Sequence, residues 1–232
     1  MTAPSVANHV SGGITSTSGS LPALTVTAGD AVYVLVTEQD TFSLITGLSD
    51  GTNTYVKNKT VPGGPTVTVW VAENVSGSSL TITISRISGS DVMSAVALDV
   101  TGVANPSYDA SGTGSNGGYT SGVDESDSVS PARAGGLLIL TLGLLINTGA
   151  GGPATYNAEA GETLVDSFSK ENTGATAWSA TGVYSENSSG TGSQTLKGNA
   201  SYILSSTANY SVVVTSILAP APAGGGPLYL AA

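Results

Sequence analysis

Cysteine is absent from the 232 residues, which excludes disulfides, thiol nucleophiles and cysteine-ligated metal. Basic residues are almost as scarce: Lys57, Lys59, Arg86, Arg133, Lys170 and Lys197 are the whole set, and they are scattered. No phosphate-binding patch forms from them, and a net charge of −10 argues against nucleic acid as a partner. Anionic membrane surfaces are disfavoured for the same reason. The single histidine, His9, is the one candidate for a general base near neutral pH. No partner acid or nucleophile can be assigned to it from its neighbours in the chain. The longest apolar stretch, Gly135 to Ile146, falls short of the ~20 residues that a membrane-spanning helix needs. Met1 to Ser5 lack the basic start and apolar core of a secretory signal, so no leader is expected here. Nucleophile-elbow, P-loop and zinc-protease motifs are missing. Gly112 to Gly117 matches Gly-x-Gly-x-x-Gly only literally, without a strand–helix context. The expectation is a chain that is not an enzyme and has no resident cofactor.

What the chain has in quantity is Ser (33), Thr (29) and Gly (31), with 40% hydrophobic residues, mostly Val, Ala, Leu and Ile. Val and Thr suit a pleated surface, while Gly, Asn and Ser supply turns. Charged residues make up 9%, against the usual quarter or so, and this Ser/Thr/Gly-rich balance is that of an exterior protein.

The pattern also repeats. Val26-Thr27-Ala28-Gly29-Asp30 leads into an apolar run from Ala31, and Val129 to Gly136 leads into another from Leu137. Val71 to Ser78 is echoed by Val183 to Gly190, and Ser94-Ala95-Val96-Ala97-Leu98 by Ser211-Val212-Val213-Val214-Thr215. The offset grows from 106 (Gly29 to Gly135) through 113 (Asn74 to Asn187) to 117 (Ser94 to Ser211), as loop insertions in a duplicated β-unit would produce. Runs of β-formers bounded by turn residues predict strands at 23–27, 31–37, 42–46, 66–72, 80–85 and 92–100. In the second half they predict strands at 136–145, 163–169, 175–184, 194–199 and 210–218. The run at 136–145 reads as a strand buried on both faces, and no window has a capped helical period. Val32, Val34, Leu138, Leu140, Val212 and Val214 are the expected inward positions.

The expected organisation is an N-terminal arm (1–20) and one antiparallel β-sandwich domain (21–218). Within it, quasi-repeats 21–101 and 129–218 interleave and are joined by a Gly/Ser-rich loop, 102–128. Residues 219–226, Ala-Pro-Ala-Pro-Ala-Gly-Gly-Gly, form a linker to an apolar hook in which Leu228, Tyr229 and Leu230 are candidate subunit contacts. Asp124, Glu125 and Asp127 are the candidate ligands for calcium, with Asp50 and Asn53 a second loop of the same kind, although neither carries the EF-hand spacing. Trp70 and Trp178 are the candidate stacking platform for a glycan. Sequons fall at Asn58, Asn74, Asn187, Asn199 and Asn209, no great excess for so Ser/Thr-rich a chain.

The Val26–Asp30 entry, the Asp50-Gly51-Thr52-Asn53-Thr54-Tyr55 turn, the Trp70–Ser76 segment, the Ser130–Gly136 re-entry and the closing Ser211–Leu218 strand carry a resemblance. In this order they resemble jelly-roll or lectin-like β-sandwich domains of virion and prokaryotic cell-surface structural proteins. The resemblance covers about residues 20–218 and implies an all-β, jelly-roll-like antiparallel sandwich, with no site motif to carry over. It implies a structural subunit of an extracellular assembly, most simply a virion capsid or surface protein whose partners are copies of itself. The alternatives are a cell-surface filament subunit using strand addition and a glycan-binding adhesin that recognises host glycans.

Overall fold

The chain is all β. In a computed structural model, residues 2–87, 92–147, 153–158, 161–172, 177–202 and 207–221 are described, and no helix occurs among them. The first large sheet runs in the order β1 (Ser5–Ile14), β10 (Met93–Thr101), β4 (Ala31–Glu38), β7 (Thr66–Ala72), β6 (Val56–Val61). The second runs β11 (Tyr108–Ser111), β19 (Thr207–Ile217), β14 (Leu137–Asn147), β17 (Ala177–Asn187), β16 (Thr163–Asn172), and β12 (Ser115–Tyr119) also pairs with β19. All these ladders are antiparallel.

Each large sheet is covered on its outer side by a small one. β2 (Ser18–Ser20), β9 (Thr83–Arg86) and β5 (Ile45–Ser49) cover the first, beside a ribbon of β3 (Leu24–Thr25) and β8 (Ser79–Leu80). β13 (Glu125–Val129), β18 (Gln194–Ser201) and β15 (Thr155–Asn157) cover the second. The two large sheets then pack on each other, giving four layers and three cores.

Alternation along the strands allots the side chains. Val32, Val34 and Val36 face the first small sheet with Ile82 and Ile84, while Tyr33 and Leu35 face the second large sheet, against Leu137, Ile139 and Val213. Leu138, Leu140, Val212 and Val214 point outward to the core shared with Leu196 and Tyr156. The six expected inward residues are fully buried, but so are the residues between them, because these strands are covered on both faces.

Sheet membership differs from the expected interleaving: every sheet draws its strands from one half of the chain only. The predicted arm, 1–20, holds strands β1 and β2. A bulge at Ala7, between the pairs Val6↔Val100 and Asn8↔Asp99, turns Val6 toward the middle core and Val10 toward the outer one. That flip breaks the period of two by which a strand is read from sequence. The predicted loop 102–128 holds β11, β12 and the start of β13; its Gly, Ser and Asn residues are held by pairing to β19 and β18. The strand predicted at 42–46 lies at Ile45–Ser49, and that at 23–27 shrinks to Leu24–Thr25.

Local details recur between the halves. Gly29 N–H donates to the Val75 carbonyl (2.9 Å) and Val75 N–H to that of Asp30 (2.9 Å). Gly135 N–H donates to the Ser188 carbonyl (3.1 Å) and Ser188 N–H to that of Gly136 (2.8 Å). Gly29 and Gly135 both have positive φ (97° and 77°), where a side chain would be strained. Bulges recur too: Asn58 in β6 and Val165 in β16, Ala7 in β1 and Asp109 in β11.

Leu140 is fully buried beside Gly198, whose missing side chain leaves room for it. Leu140→Ala should therefore cost ~2–5 kcal/mol in a denaturant titration. A loss below ~0.5 kcal/mol would contradict this register.

Candidate functional site

The candidate calcium ligands are not brought together. β13 is a strand, so its carboxylates turn to separate partners. Asp124 Oδ1 accepts from Asn199 Nδ2 (2.9 Å), and its Oδ2 lies 3.7 Å from Lys197 Nζ. Asp127 Oδ2 accepts from the Val214 main-chain N–H (3.0 Å), filling the gap between β11 and β12, and a methyl group on Gly112 would overlap that carboxylate. The Glu125 carboxyl is pushed up by burial, with a Tyr210 hydrogen bond opposing. Among the described residues no group of three His, Asp or Glu side chains is placed to hold a metal ion. In the second acidic loop Asp50 accepts from Thr52 N, Asn53 N, Asn53 Nδ2 and Tyr55 Oη, all at 2.7–2.9 Å. Burial pulls this carboxyl up, but these donors outweigh it and hold it below its usual range.

The tryptophans do not form one platform. Trp70 is only 6% exposed in the first outer core, donates from Nε1 to Thr68 Oγ1 (3.2 Å), and has Lys57 Nζ 5.3 Å from its ring centre. Trp178 packs, half-buried, against the other outer core. Both faces of β7, the strand that carries Trp70, are covered. Leu228, Tyr229 and Leu230 lie outside the described residues.

His9 has a partner that its sequence neighbourhood does not disclose: its Nδ1 is 2.9 Å from Asp166 Oδ2, across the two large sheets. Among the described residues no hydroxyl is hydrogen-bonded to the remaining ring nitrogen.

Two grooves open between the large sheets. One, of about 580 Å³, lies between β1 and β16, with Pro4, Val6, Thr163, Val165, Ser185 and Asn187 among its lining residues. The other, of about 500 Å³, lies between β11 and β6, with Pro106, Tyr108, Val56, Asn58, Val71 and Glu73 in the corresponding places. The ladder registers fix this correspondence: Lys57↔Trp70 matches Leu164↔Tyr184 around the bulges, and Val6↔Val100 matches Tyr108↔Ile217.

Among the described residues a buried acid pair occurs in one half only. Asp30 and Asp99 are buried, and Asp30 Oδ2 and Asp99 Oδ1 meet no donor. Asp99 lies opposite Val32 in the ladder, which makes it the diagonal neighbour of Asp30 on the same face. Asn8 Nδ2 approaches Asp99 Oδ2 at 3.4 Å. Burial, joined by the charge and hydrogen bond of Asp30, raises Asp99 to about 6 against the opposing Asn8 bond. The corresponding residues of the other half are Gly136 and Ser216.

Comparison with known proteins finds no matching family description, no matching curated protein and no matching solved structure.

The acid pair sets a pH dependence. The folded protein keeps a proton on Asp99 that the unfolded chain loses above about pH 4. This group's contribution therefore makes stability fall as pH rises from about 4 through about 6, and level off above. Asp99→Asn should raise the melting temperature at pH 8, leave it nearly unchanged at pH 4, and flatten the slope between. A melting curve with the same pH slope in both proteins would contradict a proton held on Asp99.

Proposed function

We propose that this chain is a non-enzymatic structural subunit of an extracellular assembly, a capsid or surface protein of a virion built from copies of itself. In this reading each half is a copy of one jelly-roll-like unit. In the first half the opening strand lies beside the last (β1–β10), the last beside β4, β4 beside β7, and β2 beside β9. That order supports a wrapped, jelly-roll-like unit, and the strands of the second half follow the same order.

The observation that carries the reading is the use made of the acidic side chains. Glu38 accepts from Leu44 N, Glu73 from Ser107 N and Tyr108 N, Asp109 from Ala132 N, Asp127 from Val214 N, and Glu162 from Lys197 N. Together with Asp50, these carboxylates tie down loops and strand ends, where charge-assisted bonds are strong. A chain that commits its acids to the backbone is built for rigidity. Phe42 (60% exposed) and Ile87 (74%) add apolar surface at one end, close in the fold because Ile87 N–H donates to the Leu44 carbonyl. Exposed apolar positions of this kind serve contact between proteins.

Attachment by strand addition, as a filament subunit would use, finds less support. Each of β1, β6, β11 and β16 carries a bulge, and β6 adds Lys57 and Lys59, both of which are devices against edge pairing. Contact through side chains and the C-terminal segment is the favoured mode.

Sedimentation velocity and electron microscopy of the parent protein should find discrete multimers. Truncation after Ala221, and the pair Phe42→Ser with Ile87→Ser, should each weaken association at least about tenfold with an unchanged circular dichroism spectrum. A parent protein that stays monomeric at every concentration would overturn the reading.

A further inference from the structure

The groove between β6 and β11 differs from its counterpart in a way the fold does not require. Its floor is Val71, and its flanks are Val56, Pro106 and Tyr108. Val56 is 57% exposed and gives this flank an accessible apolar surface. Tyr108 is half-buried and pinned by a hydrogen bond from its hydroxyl to Ser111 Oγ (3.0 Å). Asn58, the bulged residue of β6, lines the groove, and among the described residues its amide has no hydrogen-bond partner, which leaves its donors and acceptor turned to a ligand.

The rest of the wall is rigid. Asn53 is held by Asp50 and by Ser76, whose N–H donates to its Oδ1 at 2.8 Å, so the neighbouring Thr52 and Thr54 are fixed in place. No lysine or arginine lines the groove, which leaves nothing to hold an anion. The one charged group, Glu73, already accepts main-chain N–H bonds from Ser107 and Tyr108 and needs no cation.

What fits such a wall is an uncharged molecule with an apolar face and a hydroxyl edge, and about 500 Å³ is within the usual range for a small-molecule site. The counterpart groove is an internal control. Where this one has Tyr108 and Asn58, that one has Val6 and Val165 on the same bulged frame. An aromatic ring and a free amide are therefore not demanded by folding. We propose that this groove binds a neutral saccharide of one or two rings, with its C–H face against Tyr108, Pro106 and Val56 and its hydroxyls on Asn58, Thr52 and Thr54.

The test uses full-length protein made in a bacterial host, so that Asn58, which is also a sequon, carries no glycan. Saturation-transfer NMR is run against glucose, galactose, mannose, N-acetylglucosamine and their common disaccharides at millimolar concentration. At least one should bind. Asn58→Val and Tyr108→Val, each copying the other groove, should weaken it at least about tenfold, while Val6→Ala and Val165→Ala should not. Transfer from none of these sugars, or binding that survives Asn58→Val and Tyr108→Val, overturns the proposal. The four variants should associate as the parent does, which separates this outcome from that of the assembly reading.

Discussion

Two-sided burial of the large sheets is the constraint from which the rest follows. Residues 31–38, 66–72 and 93–100 are buried throughout, and residues 137–144 likewise. Such strands have no solvent face on which to carry a polar group cheaply, so the polar side chains that remain inside must find each other. Thr37, Ser94, Ser179 and Thr181 do so at one end of the middle layer: Thr181 Oγ1 lies 2.7 Å from both Thr37 Oγ1 and Ser94 Oγ. Gly143 leaves room for this arrangement, since a side chain there would strike Thr37 and Val67. The other end of the layer is closed by Tyr33, Leu98, Ile139 and Val213. The interface between the halves is thus apolar over most of its core, with buried hydroxyl contacts at Thr37–Thr181 and at Tyr33–Ser107.

The same constraint pushes chemistry outward. With faces committed to cores, the candidate ligand-facing groups described above sit on turns, on bulges or on edge strands. Asn58 and Tyr108 are on or beside bulges, Asp50 is in a turn, and His9 and Asp166 are on the two edge strands that flank one groove. Bulges here bend the edge and aim a side chain that the regular ladder would have turned elsewhere.

Central strands were readable from the chain because double burial writes an unbroken apolar run, as in Leu137 to Leu140 and Ala31 to Val36. The recurring Gly29 and Gly135 entries were readable because a positive φ leaves little choice of residue. Strand β1 was not, since its bulge disrupts the alternation, nor were β11 and β12, whose Gly-rich composition says loop while their pairing with β19 makes them strands. The site features were the least legible. His9 and Asp166 are 157 residues apart, and the Asp30–Asp99 pair forms only when β4 and β10 become neighbours. Trp70 and the acids at and beside β13 show the reason: residue type announces what a side chain can do and not whether its partners are already taken.

The bulged edges have a consequence for the company this molecule keeps. A straight, open strand offers a row of amides and carbonyls that any extended peptide can match, so its welcome is indiscriminate. Once the four outer strands are kinked, a newcomer is met by side chains, which differ in shape and charge from one surface to the next. Crowding at high local concentration then favours neighbours with complementary surfaces over arbitrary sticky segments, and a partly unfolded stranger gains little by leaning on the rim.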